Sequence, residues 1–222
     1  MPKVLLFDID GTLVDAGGAG RRAMERAFTV THGRADAVSG FVFGGMTDPA
    51  IARKALGVIG VEPTSAAIAR VLDAYLDALA DELPRAENFR ILPGVEETLD
   101  WVAIRGHAIG LGTGNLVRGA ELKLERARIH HRFAFGGYGS DHEDRAELLA
   151  RGAERGRERH GDSRAAVVVI GDTPRDIEAA RAIGAACVAV ATGKFTLTEL
   201  RAHAPTVAVE TLDDPRARSL LE

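Results

Sequence analysis

Cysteine is almost missing from this 222-residue sequence: Cys187 is the single thiol. One cysteine excludes an intramolecular disulfide and a multi-thiolate metal site, and it fits a reducing cytosol. Long hydrophobic runs are missing too, since no apolar stretch approaches the roughly 20 residues that span a bilayer. The apolar run near the N-terminus is short and passes straight into "DID", unlike a signal peptide. Lysine is scarce: the basic residues are 24 Arg and 4 Lys, scattered among acids in a chain of net charge −4. That distribution offers no basic face for nucleic acid. The expectation is a soluble, cytoplasmic protein, monomer or homodimer, with neither nucleic acid nor membrane as partner.

What is present reads as ordinary globular material, 46% hydrophobic and 27% charged. The length allows one main domain with a smaller attachment. Five β-rich runs stand out: "KVLLF" (3–7), "HAIGLGT" (107–113), "FAFGGY" (133–138), "AVVVIGD" (166–172) and "CVAVATG" (187–193). "TVAVET" from Thr206 supplies a sixth. Most are continuously apolar, the pattern of parallel strands covered on both faces, and helical segments such as "EETLDWVAIRG" and "PRDIEAARAIGA" separate them. The fold class this predicts is α/β, a doubly wound parallel sheet.

One gap is too long for a single crossover, which needs only about a dozen residues. Between the first and second runs, Ile68, Val71, Leu72, Tyr75, Leu76, Leu79 and Leu83 form one apolar stripe at helical spacing. "GGAGRRAMERAF" and "DPAIARKALG" also read as helices. The expected organisation is a helical insertion over 16–88, joined through glycines 17, 18 and 20 and the "ENFRILPG" segment. The α/β core would comprise 1–15 and 89–222. An insertion at the C-terminal end of a strand lies where open α/β sheets bind ligands, so it is placed to act as a lid.

Two carboxylates, Asp8 and Asp10, stand at the end of the first run in "DIDGTLVD", where Gly11 permits a sharp turn. An acidic turn with no chemistry is one explanation. A calcium loop is not, because its glycine belongs at the sixth position and no glutamate closes the loop at the twelfth. The fourth run ends in "GDTPRD", adding Asp172 and Asp176 at the same edge of a parallel sheet. Thr173 to Asp176 also matches a capping box with Pro174 at the first helical position, and Thr12 to Asp15 fits a capping pattern. Carboxylates gathered at one edge repel, and a hard divalent cation such as Mg²⁺ is the natural compensation. The second run ends in "GLGTGN", which breaks the dinucleotide fingerprint at Asn115. It still offers the Thr113 hydroxyl and the amides of Gly114 and Asn115 to phosphoryl oxygens. Carboxylates, a cation and such donors together suit phosphoryl transfer.

On these residues the chain resembles the haloacid dehalogenase superfamily, most of whose members are phosphatases. "DIDGTLVD" is similar to its first motif, Thr113 in "GLGTGN" to its second and "GDTPRD" to its fourth, and the helical insertion looks like its cap, in the manner of the phosphoglycolate-phosphatase-like branch. The third motif departs: Arg145 in "GSDHEDRAELL" stands where the family places a lysine. Lys123 is the rival for that role, and a surface helix lysine is its plainer explanation. The resemblance implies that Asp8 attacks phosphorus to form an aspartyl-phosphate and that Asp10 is general acid and base. It implies Mg²⁺ held by Asp8, the Asp10 carbonyl and Asp172, with Asp176 behind them. Thr113 and Arg145 would bind the phosphoryl group, and Gly11, Thr12, Gly114, Asn115 and the cap residue Thr47 would meet the substrate, a small phosphorylated metabolite. A sugar-phosphate mutase shares every motif. A dehalogenase would lack Asp10, and a phosphonatase would need a cap lysine, for which only Lys54 is available. A non-catalytic binding relative would be expected to have lost one of the aspartates. Within the cap, "FGGMTDPAI" (43–51) is the stretch expected to reach the leaving group, while His130, His131 and His160 are expected at the surface.

Overall fold

The computed structural model describes residues 2–222, with Met1 alone outside it. β1 (Val4–Phe7) sits inside a six-stranded sheet between β4 (Ala108–Thr113) and β6 (Val167–Gly171). β5 (Gly136–Tyr138) lies beyond β4, and β7 (Ala186–Val190) and β8 (Val207–Val209) extend the other side. Every pairing in this sheet is parallel. The strands are shorter than the apolar runs suggest. In "FAFGGY" only the last three residues join the sheet, after a short helical turn at His130–Arg132.

Alternate side chains of β1 explain why the run is apolar throughout. Leu5 and Phe7 enter a core with α4 (Val95–Ala103), α5 (Val117–Arg126) and α9 (Pro215–Leu221), through Leu99, Leu124 and Leu221. Val4 and Leu6 enter another with α6 (Arg145–His160) and α7 (Pro174–Ala182), through Leu148, Leu149 and Ile177. A short α8 (Leu197–Ala202) closes that face. The charge-dense "ERGRERHGDSR" stretch forms the end of α6 and the turn after it, capped by Gly161.

Between β1 and β4 the chain builds a third core from α1 (Ala19–His32), α2 (Asp48–Val58) and α3 (Ser65–Glu82). Ile68, Val71, Tyr75 and Leu79 all turn inward along α3, as their spacing predicts. Its two connections are not plain linkers. Val14–Asp15 forms β2, paired antiparallel with β3 (Arg90–Ile91) inside the "ENFRILPG" segment. Thr12 to Asp15 therefore caps no helix: Thr12, Leu13 and Val14 turn back to donate to the Ile9 carbonyl, and Asp15 accepts from the Gly17 amide and pairs with Arg90. The capping pattern fails because Val14 and Asp15 themselves pair as a strand, and a glycine turn separates them from the helix that starts at Ala19.

Among the described residues no helix is long and apolar enough to cross a membrane. Leu79 is fully buried among α1 and α3 side chains. Leu79→Ala is expected to lower stability by about 2–5 kcal/mol through lost transfer energy and a residual cavity, read as a lowered urea midpoint. A loss below about 1 kcal/mol would mean that this third core contributes little to folding.

Candidate active site

Because β1 pairs with β4 on one side and β6 on the other, their C-terminal ends open onto a shared crevice, the position where such sheets bind ligands. Asp8 follows β1, Thr113 ends β4 and Asp172 follows β6. Carboxylate oxygens of Asp8, Asp172 and Asp176 lie within 4.8 Å of one another, all three residues buried. Gly11, at a φ of 83°, lets the turn after β1 lie against Asp172: a Cβ there would stand 2.3 Å from Asp172 Oδ2. Thr12 is buried beneath the cavity with its hydroxyl 3.4 Å from Asp172 Oδ1, so it steadies Asp172 and does not line the opening.

Arg145, the first residue of α6, reaches into this cluster. Its Nη2 lies 2.5 Å from Asp176 Oδ1 and 3.1 Å from Asp8 Oδ2, and its Nε donates to Asp176 at 2.8 Å. A planar fork can serve two carboxylates at once where an ammonium would act as a point charge. Asp176 is fully occupied: it also accepts from the Thr173 hydroxyl at 2.6 Å and amide at 3.0 Å, closing the capping box of α7. The capping role and the supporting role thus coexist in one side chain. Asp8 and Asp172 keep free oxygen positions facing the cavity, which is the donor chemistry a hard divalent cation takes.

Burial pushes Asp8 up to about 6 despite the opposing Arg145 charge, and it pushes Asp172 well above the carboxylate range, with Asp176 and Asp8 adding repulsion. Two buried carboxyls that resist ionisation next to a third, paired one describe a site short of positive charge.

Thr113 is fully buried, and its hydroxyl accepts from Asn115 Nδ2 at 2.8 Å. Gly114 and Asn115 line the cavity instead. Asp10 is 46% exposed toward that cavity, and its Oδ2 accepts from Lys123 Nζ at 2.5 Å and from Asn115 Nδ2 at 3.0 Å. Lys123 is not a surface lysine: only 3% of its side chain is exposed. α5 buries Gly119, Ala120, Lys123 and Leu124, so the lysine falls on the inward face at helical spacing from two small residues. That spacing was the signal available in the sequence.

The helices after β1 cover the crevice and enclose a cavity of about 550 Å³. Phe43, Gly44, Gly45, Met46, Asp48 and Ile51 line it, in keeping with the expected reach of "FGGMTDPAI". Thr47 does not: it is buried as the N-cap of α2, accepting from the Ala50 amide and donating to the Glu143 carbonyl. An N-cap hydroxyl is held along its own helix and so turns away from the chamber. Tyr75, Arg21, Arg90, Lys194 and Phe195, outside every motif and outside that stretch, also line the cavity. Asp48 reads in sequence as part of a helix start, and Tyr75 as one more residue of an apolar stripe. Burial pushes Asp48 up to about 6, against the pull of Lys123 and the Leu116 amide.

A doubly wound α/β core with a buried cluster of carboxylates at its strand ends is the class this fold and crevice define. A sequence model of the haloacid dehalogenase-like hydrolases matches residues 2–184, and the chain belongs to that family. Curated relatives include phosphoglycolate phosphatase 1 of Pseudomonas aeruginosa, 28% identical over 96% of this chain and 78% of the relative. The phosphoglycolate phosphatase of Pseudomonas syringae is 30% identical over 87% of this chain and 71% of the relative. The Synechococcus elongatus phosphoglycolate phosphatase is 27% identical over 96% and 94%. Among solved structures, a hydrolase from Pseudomonas syringae aligns with a TM-score of 0.74 at 20% identity, covering 98% of each chain. CbbY from Rhodobacter sphaeroides in complex with phosphate aligns at 0.73 and 16%, covering 96% of each, and both carry the likeness of fold alone.

The raised carboxyls give a test by linkage. Without a cation the folded site keeps protons on Asp8 and Asp172 that the unfolded chain releases near the ordinary 3.8, so these groups destabilise the fold as pH rises. In EDTA, Asp172→Asn is expected to gain melting temperature relative to the unaltered chain as pH rises from about 4 through 6 and beyond. Taking the difference between the two proteins cancels the surface carboxylates. A difference that stays flat across this window would contradict the assignment.

Proposed function

We propose that the protein is a cytoplasmic Mg²⁺-dependent phosphatase that hydrolyses a small phosphate monoester through an aspartyl-phosphate on Asp8. The observation that carries this reading is the division of the two N-terminal carboxylates. Asp8 is buried beside Asp172 and Arg145, whereas Asp10, two residues on, faces the covered cavity with one oxygen anchored. The first position suits a nucleophile and cation ligand; the second suits a proton carrier at the leaving group.

In the proposed reaction, an Asp8 carboxylate oxygen forms a bond to phosphorus while the ester P–O bond breaks, and Asp10 protonates the departing alkoxide. Asp10 then takes a proton from water as the water oxygen displaces the Asp8 carboxylate from phosphorus. Asp8, Asp172 and the Asp10 carbonyl are the residues that would hold Mg²⁺, which supplies charge neutralisation between an anionic nucleophile and an anionic ester. Arg145 orients Asp8 through Nη2 and places a guanidinium beside the phosphoryl position. The Gly114 and Asn115 backbone supplies the opposite wall, with Thr113 acting through its hydrogen bond to Asn115. The core is taken as 1–15 with 89–222, and the helices of 16–88 as a cap that excludes water from the chamber.

The curated relatives are named phosphoglycolate phosphatases, which makes a small anionic phosphate ester the preferred substrate class. Arg21, stacked 4.2 Å from the Phe43 ring centroid, and Lys194 add positive charge around the chamber, in keeping with an anionic leaving group. A phosphonate-cleaving role finds less support, since Lys54 stacks on Phe41 and does not line the cavity.

Phosphate release from a panel of esters including 2-phosphoglycolate, with Mg²⁺ or EDTA, tests the reading. Metal-dependent release is expected, falling to background in a folded Asp8→Asn variant. Release that survives Asp8→Asn would remove Asp8 as nucleophile. Isomerisation of a sugar monophosphate primed by its bisphosphate, without net phosphate release, would make the protein a mutase.

A further inference from the structure

Lys123 lies outside every motif that carries the family likeness, yet it makes the tightest polar contacts of the Asp10 carboxylate. Its Nζ donates to Asp10 Oδ2 at 2.5 Å and to Asn115 Oδ1 at 2.6 Å. Asn115 in turn donates from Nδ2 to the same Asp10 oxygen at 3.0 Å. The three side chains form a closed triangle in which Asp10 Oδ2 receives two donors. Among the described residues no hydrogen-bond donor reaches Oδ1, the oxygen left to the cavity.

A carboxylate on the turn after a strand has two side-chain torsions to lose before it can transfer a proton along one line. Anchoring Oδ2 removes that freedom and selects Oδ1 as the proton-carrying atom. The anchor is itself anchored. Lys123 is buried on α5, where Asp48 approaches it from the covering helices and Tyr75 faces Asp48. Asp48 is locked to the strand-end loop at both ends, through its amide to the Gly114 carbonyl at 2.8 Å and its Oδ2 from the Leu116 amide at 2.9 Å. The buried ammonium therefore pairs directly with the Asp10 carboxylate of the crevice and attracts, without a direct ion pair, the Asp48 carboxylate of the covering helices.

We propose that Lys123 is a positioning residue: with Asn115 it clamps Asp10 through Oδ2 and presents Oδ1 to the leaving-group oxygen. The inference rests on the phosphatase reading. In the step concerned, the ester P–O bond breaks, its electron pair goes to the leaving oxygen, and the Oδ1 proton goes to that oxygen. In the second half, water gives its proton back to Oδ1 as the acyl-phosphate P–O bond breaks. A misplaced Asp10 hurts most where the leaving group cannot depart as an anion. Alkyl phosphates need the proton, whereas p-nitrophenyl phosphate does not.

The test compares 2-phosphoglycolate with p-nitrophenyl phosphate in Lys123→Met, with Mg²⁺ present. Expected is a roughly 10²-fold loss of kcat/KM on the alkyl ester, while the p-nitrophenol burst keeps its rate within about a factor of three. Lys123→Met removes a positive charge that favours the buried Asp48 carboxylate, so the same pair of substrates is measured in Lys123→Met combined with Asp48→Asn. That variant is expected to recover melting temperature while the alkyl-over-aryl loss persists, which a merely structural lysine would not produce. Asn115→Ala is expected to show the same selectivity at smaller size. Equal losses on both esters, or none, would overturn the positioning role even though Mg²⁺-dependent release and its abolition by Asp8→Asn held. Absence of release from either ester in the unaltered protein would overturn the phosphatase reading and this inference with it.

Discussion

The crowding of negative charge at the C-terminal edge of β1 and β6 is the constraint on which the rest of the structure turns. Asp8, Asp172 and Asp176 approach one another within 4.8 Å in a buried pocket. Left alone, such a group would repel or hold its protons, and the raised Asp8 and Asp172 carboxyls show the strain of burial. Arg145 relieves one side of it by forking between Asp8 and Asp176. The residual demand for positive charge falls on Asp8 and Asp172, whose free oxygens face the cavity. A site that is costly to keep without further positive charge is one whose stability and chemistry are set by the same few side chains.

The same logic extends outward to the covering helices. α2 begins where the "GLGTGN" loop ends, with the Asp48 amide on the Gly114 carbonyl and a Cβ on Gly114 excluded by the Met46 carbonyl at 2.3 Å. Arg145 and Arg175 donate to carbonyls of Gly45 and Gly44. Lys123 stands between Asp10 and Asp48 in the same seam. The covering segment is thus fastened to groups that line the crevice, and at the rim by the exposed Arg53–Glu143 pair and the Arg126 bond to the Ala86 carbonyl.

Much of the fold was legible because parallel strands buried on both faces leave continuous apolar runs, and because α3 carries its inward stripe at helical spacing. β2 and β3 were not: two-residue strands leave no periodicity, and Thr12–Asp15 matches a capping pattern that tertiary pairing with Arg90 overrides. Asp8, Asp10 and Asp172 could be placed together from sequence since strand ends of one parallel sheet open on one side. Lys123 and Asp48 could not be placed so readily. Their meeting depends on how α2 and α3 pack over α5, a long-range relation that local sequence does not encode. Thr47 was misplaced for the related reason that a helix N-cap and a substrate contact use the same residue type.

The central claim is that Asp8 is the atom donor to phosphorus. Its most direct test is to slow hydrolysis with Asp10→Asn, quench during turnover of p-nitrophenyl phosphate, whose leaving group needs no proton, and reduce with borohydride. An acyl-phosphate at Asp8 is converted to homoserine at position 8, identified by peptide mass spectrometry. That product is the predicted result. Label at another residue, or phosphate release with no covalent adduct at any aspartate, would contradict the account.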